Sequence, residues 1–169
     1  MEVKKNTSPN ETVKEAVLQK FPEAAFEEFQ GQLSLRIPKE KFAELAKFLK
    51  TDRKLSFDYL TDVTGVDYLK MEREPRFDVV YHFYSFKHNW RLRVKVGLPE
   101  EDLNLPSISS HWRSASWLER EAFEMFGFIF TGHPDLRRLL LPDVFDGFPM
   151  RKDYPLRGRG ERDVILDTK

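Results

Sequence analysis

The spacing of apolar residues at the start of the chain predicts a helix followed by a strand. Between residues 12 and 21 apolar side chains recur at helical spacing, and Pro22 ends the pattern. The apolar positions 33, 35 and 37 alternate with polar neighbours, as side chains of a strand do. Residues 1–10 are polar and include Pro9, so we expect a flexible N-terminal tail before the first helix.

A second helix is predicted between Pro38, which suits the first helical position, and about Asp52. Its inward-facing apolar positions are Phe42, Leu45, Ala46 and Leu49. The stretch that follows, residues 56–69, fits both a helical and an extended pattern. We interpret it as a short helix that continues into a strand.

The strongest strand pattern lies in the middle of the chain. Apolar residues alternate over residues 77–83 and again over 92–98, and residues 87–90 between them fit a turn. Basic residues take the alternate positions of the second strand: Arg91, Arg93 and Lys95. The pattern therefore predicts an antiparallel hairpin with one solvent-exposed face.

A third helix is predicted from a cap at Ser109 or Ser110 to about Phe126, with Gly127 as its C-terminal cap. This order of elements favours an α+β fold over strands that alternate with crossover helices. We therefore predict one α+β globular domain over residues 11–130, with a small antiparallel sheet packed by helices. A long irregular C-terminal extension, residues 131–169, follows the domain.

Composition narrows the possible functions. The chain has 28 Lys and Arg residues against 28 Asp and Glu residues, so no net field attracts nucleic acid or an acidic membrane. The absence of cysteine excludes disulfides, thiolate zinc sites and iron–sulfur clusters held by this chain. The sequence has neither an apolar run of about 20 residues nor the apolar core of a signal peptide, so we expect a soluble cytoplasmic protein.

The C-terminal extension combines prolines, aromatic residues and charges of both signs. Pro134 suits the first position of a short helix that Pro142 would end, with Leu136, Leu139 and Leu140 on its apolar face. Beyond this helix, regular structure is interrupted and the aromatic side chains need a surface. That surface is either the chain's own domain or a partner protein, and the many charges favour a partner.

The ionisable residues around the third helix allow two interpretations. Four of them are candidate acids and bases of a small stand-alone enzyme: Glu119, Glu121, His133 and Asp135. Neighbouring helical residues project about 100° apart, however, so a solvated or partner-facing helix flank is favoured. Arg120 and Glu124 have the spacing of a weak ion pair on that flank. The four histidines lack the spacing of a zinc site, so no metal is expected.

Basic residues of the extension are interleaved with acidic ones, which favours ion pairs with a protein over contacts with nucleic-acid phosphates. Within this region the chain has an ERE triplet at 119–121, an FG pair at 126–127, GHPDLRR at 132–138 and RKDYPL at 151–156. These motifs closely resemble those of the C-type, or thirty-kilodalton, subunit family of NADH-quinone oxidoreductase (respiratory complex I). Shorter matches upstream extend the resemblance over about residues 57–156.

The resemblance implies a non-catalytic structural subunit of the peripheral arm of a proton-translocating complex, on the cytoplasmic side of the inner membrane. It implies no cofactor in this chain, with FMN and iron–sulfur clusters in partner subunits. The expected partners are the quinone-module subunits, namely the 49 kDa (D-type) and B-type subunits, without nucleic acid and with the membrane contacted only through the complex. The equivalent subunit of a membrane-bound hydrogenase or a ferredoxin-dependent quinone oxidoreductase is the alternative.

The residues predicted to meet these partners lie on the third helix and in the extension. They are Glu119, Arg120, Glu121, His133, Asp135, Arg137, Arg138, Arg151, Lys152, Asp153 and Tyr154. In this role the extension would clamp neighbouring subunits and so support electron transfer from NADH to quinone.

Overall fold

The computed structural model describes residues 8–160 and shows an α+β fold of three helices and seven strands within that range. The elements in chain order are α1 Pro9–Lys20, β1 Ala25–Phe29, β2 Gln32–Ile37, α2 Lys39–Thr51, β3 Tyr59–Asp67, β4 Phe77–Ser85, β5 Trp90–Leu98, β6 Asn104–Pro106, α3 Ala115–Phe126 and β7 Ile129–Thr131. The predicted fold class is confirmed, and α2 and the β4–β5 hairpin lie where the sequence pattern places them.

The main sheet has five strands in the order β1-β2-β5-β4-β3. Its pairs are antiparallel except β2 and β5, which run parallel, so the sheet is mixed rather than wholly antiparallel. Strand β1 was not predicted because most of its residues are exposed at the sheet edge. It forms because Gln30 and Gly31 take positive φ angles of 50° and 74° and close a tight turn onto β2.

One face of the sheet carries the hydrophobic core and the three helices. The ring of Phe42 on α2 lies 4.5 Å from that of Tyr81 on β4. Helix α3 lies against β3, where Gly65 leaves room for Phe126: a Cβ atom at position 65 would be 2.6 Å from the Phe126 ring. The sheet therefore positions α3, which in turn positions the C-terminal segment.

Two predictions about helices are wrong: one predicted helix is absent and another begins later than expected. The helix expected near residue 57 is absent, because residues 59–67 pair with β4 along nearly their whole length. Helix α3 begins at Ala115 instead of Ser109 or Ser110. Residues 107–114 form turns instead. Glu119 accepts from Ser107 Oγ and from Ile108 N–H, and the Trp112 side chain donates its Nε1–H to the carbonyl of Phe57.

The C-terminal cap of α3 was predicted from the sequence, whereas the N-terminal cap of α1 was not. Gly127 ends α3 with φ 81°, as predicted. Helix α1 begins at Pro9, and the Ser8 side chain caps it by accepting from Glu11 N–H. Pro9 and Asn10 therefore belong to the helix and not to the predicted tail; the rest of that tail, residues 1–7, lies outside the described residues, as do residues 161–169.

Candidate partner interface

The residues after β7 do not form the helix predicted between Pro134 and Pro142. The carboxylate of Glu124, on α3, accepts hydrogen bonds from three successive backbone N–H groups at distances of 3.1, 2.8 and 2.6 Å; their residues are Leu139, Leu140 and Leu141. A side chain that satisfies these donors removes the need for helical hydrogen bonds. The segment is thus shaped by α3 and not by its own propensity.

Arg120 on the same helix satisfies acceptors of the segment. Its Nε donates to the carbonyl of Arg137 at 2.9 Å and its Nη2 to that of Arg138 at 2.7 Å. Arg120 and Glu124 therefore bind backbone groups of the segment instead of forming the predicted ion pair with each other. The solvated flank predicted for this helix is wrong for these two buried residues, whereas Glu121 is exposed as expected.

Glu119 and His133 form a second buried contact between α3 and the segment. Their carboxylate and Nε2 atoms lie 4.0 Å apart, and both side chains are fully buried. Glu119 accepts from Ser107 Oγ at 2.6 Å and from Ile108 N–H at 2.8 Å, yet burial outweighs these bonds and raises the pKa of Glu119 to about 7. Glu119 therefore also departs from the predicted solvated flank.

His133 precedes Pro134, but no helix follows it. Its Nδ1 accepts from Asp135 N–H at 3.0 Å, so Nε2 carries the hydrogen that is shared with the carbonyl of Ser116, also at 3.0 Å. The imidazole is therefore used within the chain. Glu119 and His133 are enclosed by protein, and Glu121 faces solvent, so the four candidate acids and bases do not line one site.

A cluster around Arg76 holds the far end of the segment. The guanidinium binds Asp67 on β3 at 2.9 Å, Glu100 at 2.6 Å and Asp153 at 2.9 Å. Asp67 also accepts from Lys152 N–H at 2.8 Å. Burial by itself would raise the pKa of Asp67, but Arg76 and the backbone donors outweigh burial and lower it.

Arg151 and Arg138, both predicted partner contacts, are also bound within the chain. Arg151 donates its Nε–H to the carbonyl of Phe126 at 2.6 Å, and its guanidinium lies 4.4 Å from the Phe148 ring. Arg138 donates to the carbonyls of Pro142 and Phe145. The expectation that the ionic groups of this segment need a partner is therefore wrong for Arg138, Arg151 and Asp153. Binding of the segment to a partner protein stays a prediction.

Four apolar side chains of the segment remain exposed, and we refer to them together as the C-terminal apolar surface: Leu140, Val144, Met150 and Leu156. Leu140 is 62% exposed although its own backbone N–H is fastened to Glu124. The sequence pattern places Leu140 on the apolar face of the predicted helix and does not single out Val144. Of the charged residues predicted as partner contacts, Arg137 and Lys152 are exposed. Apolar groups held rigidly in solvent are typical of surfaces that other proteins cover.

Two further observations concern the described range. Within residues 8–160, no three His, Cys, Asp or Glu side chains are grouped so as to hold a metal ion. In that same range, none of the helices has the length and apolar character needed to cross a membrane.

Comparison with known proteins identifies the family of this chain. The sequence profile of the respiratory-chain NADH dehydrogenase 30 Kd subunit matches residues 35–160. The C-type subunit of NADH-quinone oxidoreductase from Roseiflexus sp. (strain RS-1) is 46% identical over 87% of this chain and 84% of its own. The C-type subunit from Geobacter metallireducens is 47% identical over 79% of this chain and 80% of its own. The chain belongs to this 30 Kd subunit family, as its motifs suggest.

Solved structures agree with the fold. A trypsin-resistant fragment of Nqo5 superimposes with a TM-score of 0.65 at 36% identity, covering 73% of this chain and 96% of the fragment. A chain of the membrane-bound sulfane sulfur reductase, an archaeal respiratory membrane complex, superimposes with a TM-score of 0.73 at 24% identity, over 96% of this chain and 95% of that one. The second likeness shows a shared fold.

Proposed function

We propose that this chain is a non-catalytic structural subunit in the peripheral arm of a proton-translocating NADH-quinone oxidoreductase. Its contribution is positional: it holds neighbouring subunits so that electrons pass from NADH to quinone at fixed distances. The observation that carries the proposal is membership of the 30 Kd subunit family together with the C-terminal apolar surface, which is fastened to the domain yet left uncovered.

The proposed partners are other subunits of this complex, and they hold its cofactors. The C-terminal apolar surface meets the quinone-module subunits, of the 49 kDa (D-type) and B-type families. FMN and iron–sulfur clusters belong to partner subunits, and this chain carries none. The assembled complex places the chain on the cytoplasmic side of the membrane. Rigidity supports this role, because Glu124 and Arg120 bind backbone groups of the segment and Arg76 binds its Asp153 side chain, so the surface loses little further entropy when it docks.

Co-purification tests the proposal directly. The chain, tagged and produced from its own locus, is isolated from gently solubilised membranes, and the proteins that accompany it are identified by mass spectrometry. We expect FMN-bearing and iron–sulfur subunits of NADH-quinone oxidoreductase. Nickel–iron hydrogenase subunits would favour the alternative complex, and isolation of the chain alone, with turnover of a substrate, would overturn the structural role.

Variants of the apolar surface separate docking from folding. Leu140→Asp and Met150→Asp place a charge at side chains that are 62% and 55% exposed, so the isolated chain should remain folded while recovery of the complex falls at least tenfold. Phe29→Asp is the matched control, because Phe29 is 73% exposed on β1, at the sheet edge opposite β3. Charge inversion of Arg138 or Arg151 is a poorer test, since both hold the segment itself.

A further inference from the structure

The sheet has a second face, opposite the helices, that no helix of residues 8–160 covers; the loop before β4 lies over one part of it, with Pro75 against Gly97. The strand register places Tyr84 beside Tyr59 and Arg91, and His82 beside Asp62 and Arg93, all on this face. A groove of about 640 Å³ crosses it. We call this surface the open-face groove; its lining includes Tyr59, His82, Tyr84, Phe86, Arg91 and Arg93.

One end of the open-face groove is aromatic. The Phe86 ring lies 5.5 Å from Tyr59 and 5.0 Å from Tyr84, and Phe86 is 65% exposed. Its backbone is fixed, because Phe86 N–H donates to the Asp58 carboxylate at 3.0 Å. Three rings held this way offer a preformed apolar contact for a side chain from another molecule.

The other end of the groove carries excess positive charge. Two basic residues elsewhere on this face are neutralised, Arg36 by Asp78 and Lys95 by Glu27. Arg91 is exposed and, among residues 8–160, has no acidic partner within ion-pair distance. Arg93 is held by neutral groups, as it donates to Ser34 Oγ at 3.2 Å and to Gln32 Oε1 at 2.9 Å. Asp62 is the carboxylate that lines the groove, so the two guanidinium groups leave an excess of one positive charge there.

These features select the chemistry of the occupant. Guanidinium groups pair with carboxylates in a fixed, bidentate geometry, and an adjacent aromatic contact adds apolar area. A second copy of the chain would bring arginines against arginines. A nucleic acid would meet Asp62 in the groove and only one excess positive charge, whereas phosphate binding needs clusters of one sign.

We infer that the open-face groove docks an acidic protein segment of another subunit of the same complex. The segment places carboxylates against Arg91 and Arg93 and an apolar side chain against Tyr59 and Phe86. This surface is distinct from the C-terminal apolar surface, so the subunit contacts its neighbours on two sides. The inference rests on the proposed function only in that the partner is a subunit of that complex.

Photo-crosslinking in the intact complex tests the inference. A p-benzoylphenylalanine at position 86, in place of Phe86, should crosslink to one segment of another subunit that is rich in Asp and Glu. The same probe at position 47, exposed on α2 on the other side of the sheet, should not reach that segment. Crosslinks to a second copy of this chain, to lipid or to nucleic acid, or no crosslink at position 86, would overturn the inference.

Charge inversion gives a second readout. Arg91→Glu should reduce the recovery of the crosslinked partner about tenfold, and changing the captured segment's acidic residue to Lys should restore it. Lys47→Glu is the matched control, because Lys47 is exposed on α2, on the other side of the sheet. Equal recovery with Arg91→Glu and wild type would overturn the inference. If the tagged chain recovers no other subunit at all, the proposed function itself fails, whereas recovery of the complex without the crosslink defeats this inference alone.

Discussion

Arg76 and Asp153 lie 77 positions apart in the sequence, and their side chains form an ion pair with 2.9 Å between Nη2 and Oδ2. The same guanidinium binds Asp67, whose side chain is fully buried on β3. The Arg76 guanidinium therefore both neutralises a buried carboxylate of the sheet and holds the C-terminal segment in place. The structural role proposed for this subunit depends on such links, because they fix a docking surface relative to the domain.

Removal of the Arg76 charge should be the most costly change in this cluster. Arg76→Met keeps most of the side-chain length but leaves Asp67 as a buried carboxylate without its cation, so we expect a loss of about 3 kcal/mol in the free energy of unfolding. Glu100→Gln is the control; Glu100 is 56% exposed, so its change should cost under about 1 kcal/mol. Urea titration measures both, and similar losses would contradict the role of Asp67.

Glu124 should control the order of residues 139–141. Glu124→Gln replaces one acceptor oxygen by an N–H donor that faces backbone N–H groups, so at least one of the three hydrogen bonds is lost. We expect amide hydrogen exchange at Leu139, Leu140 and Leu141 to speed up at least tenfold. Glu121→Gln makes the same change at an exposed position of α3 and should leave these amides unaffected. Unchanged exchange in the Glu124 variant would show that the segment is held by other contacts.

Glu119 should make stability depend on pH. Burial raises the pKa of Glu119 to about 7 from its ordinary value of 4.5, so the folded protein binds this proton more tightly than the unfolded chain does. The stabilisation from protonation is complete below pH 4.5 and is lost as the pH rises through 7. With about 1.4 kcal/mol for each pKa unit, ionisation costs about 3 kcal/mol.

The measurement compares wild type with Glu119→Gln, which keeps the shape and stays neutral. Between pH 5 and pH 8 the wild type should lose about 3 kcal/mol of unfolding free energy relative to the variant. The difference between the two proteins is the informative quantity, because the other carboxylates, such as Asp67, titrate alike in both. A difference that does not change with pH would mean that the Glu119 carboxylate is solvated.

Replacing Gly127 by alanine should lower the free energy of unfolding more than the same change at Gly31, a glycine with a similar backbone conformation. Gly127 and Gly31 have φ angles of 81° and 74°, so alanine at either position carries a conformational cost of about 1 kcal/mol. A Cβ atom at position 127 would also lie 2.6 Å from Arg151 Nη2 and 2.7 Å from the Phe148 ring, whereas position 31 has nothing within 4 Å.

Gly127→Ala should therefore lose a further 1–3 kcal/mol, about the cost of overpacking, and should loosen residues 148–151. Thermal unfolding of both alanine variants gives the stability difference, and limited proteolysis reports on the segment. If both substitutions cost the same, the contact between the α3 cap and the segment contributes no stability.

The sequence alone determined the features that depend on neighbouring residues. Helix α2 follows from the spacing of Phe42, Leu45 and Leu49 after Pro38, and the β4–β5 hairpin from strict alternation. The cap at Gly127 follows from the need for a positive φ angle at the end of α3. The family follows from motifs that lie close together in the chain.

Only the tertiary structure decided how the C-terminal segment is arranged. The sequence favours a helix after Pro134 and a solvated flank on α3, because local pattern cannot show that Glu124 and Arg120 reach backbone groups far along the chain. For the same reason, local pattern did not predict the parallel pairing of β2 with β5 or the ion pair between Arg76 and Asp153. Contacts between residues distant in sequence arise from folding of the whole domain, and they decide which side chains are left for partners.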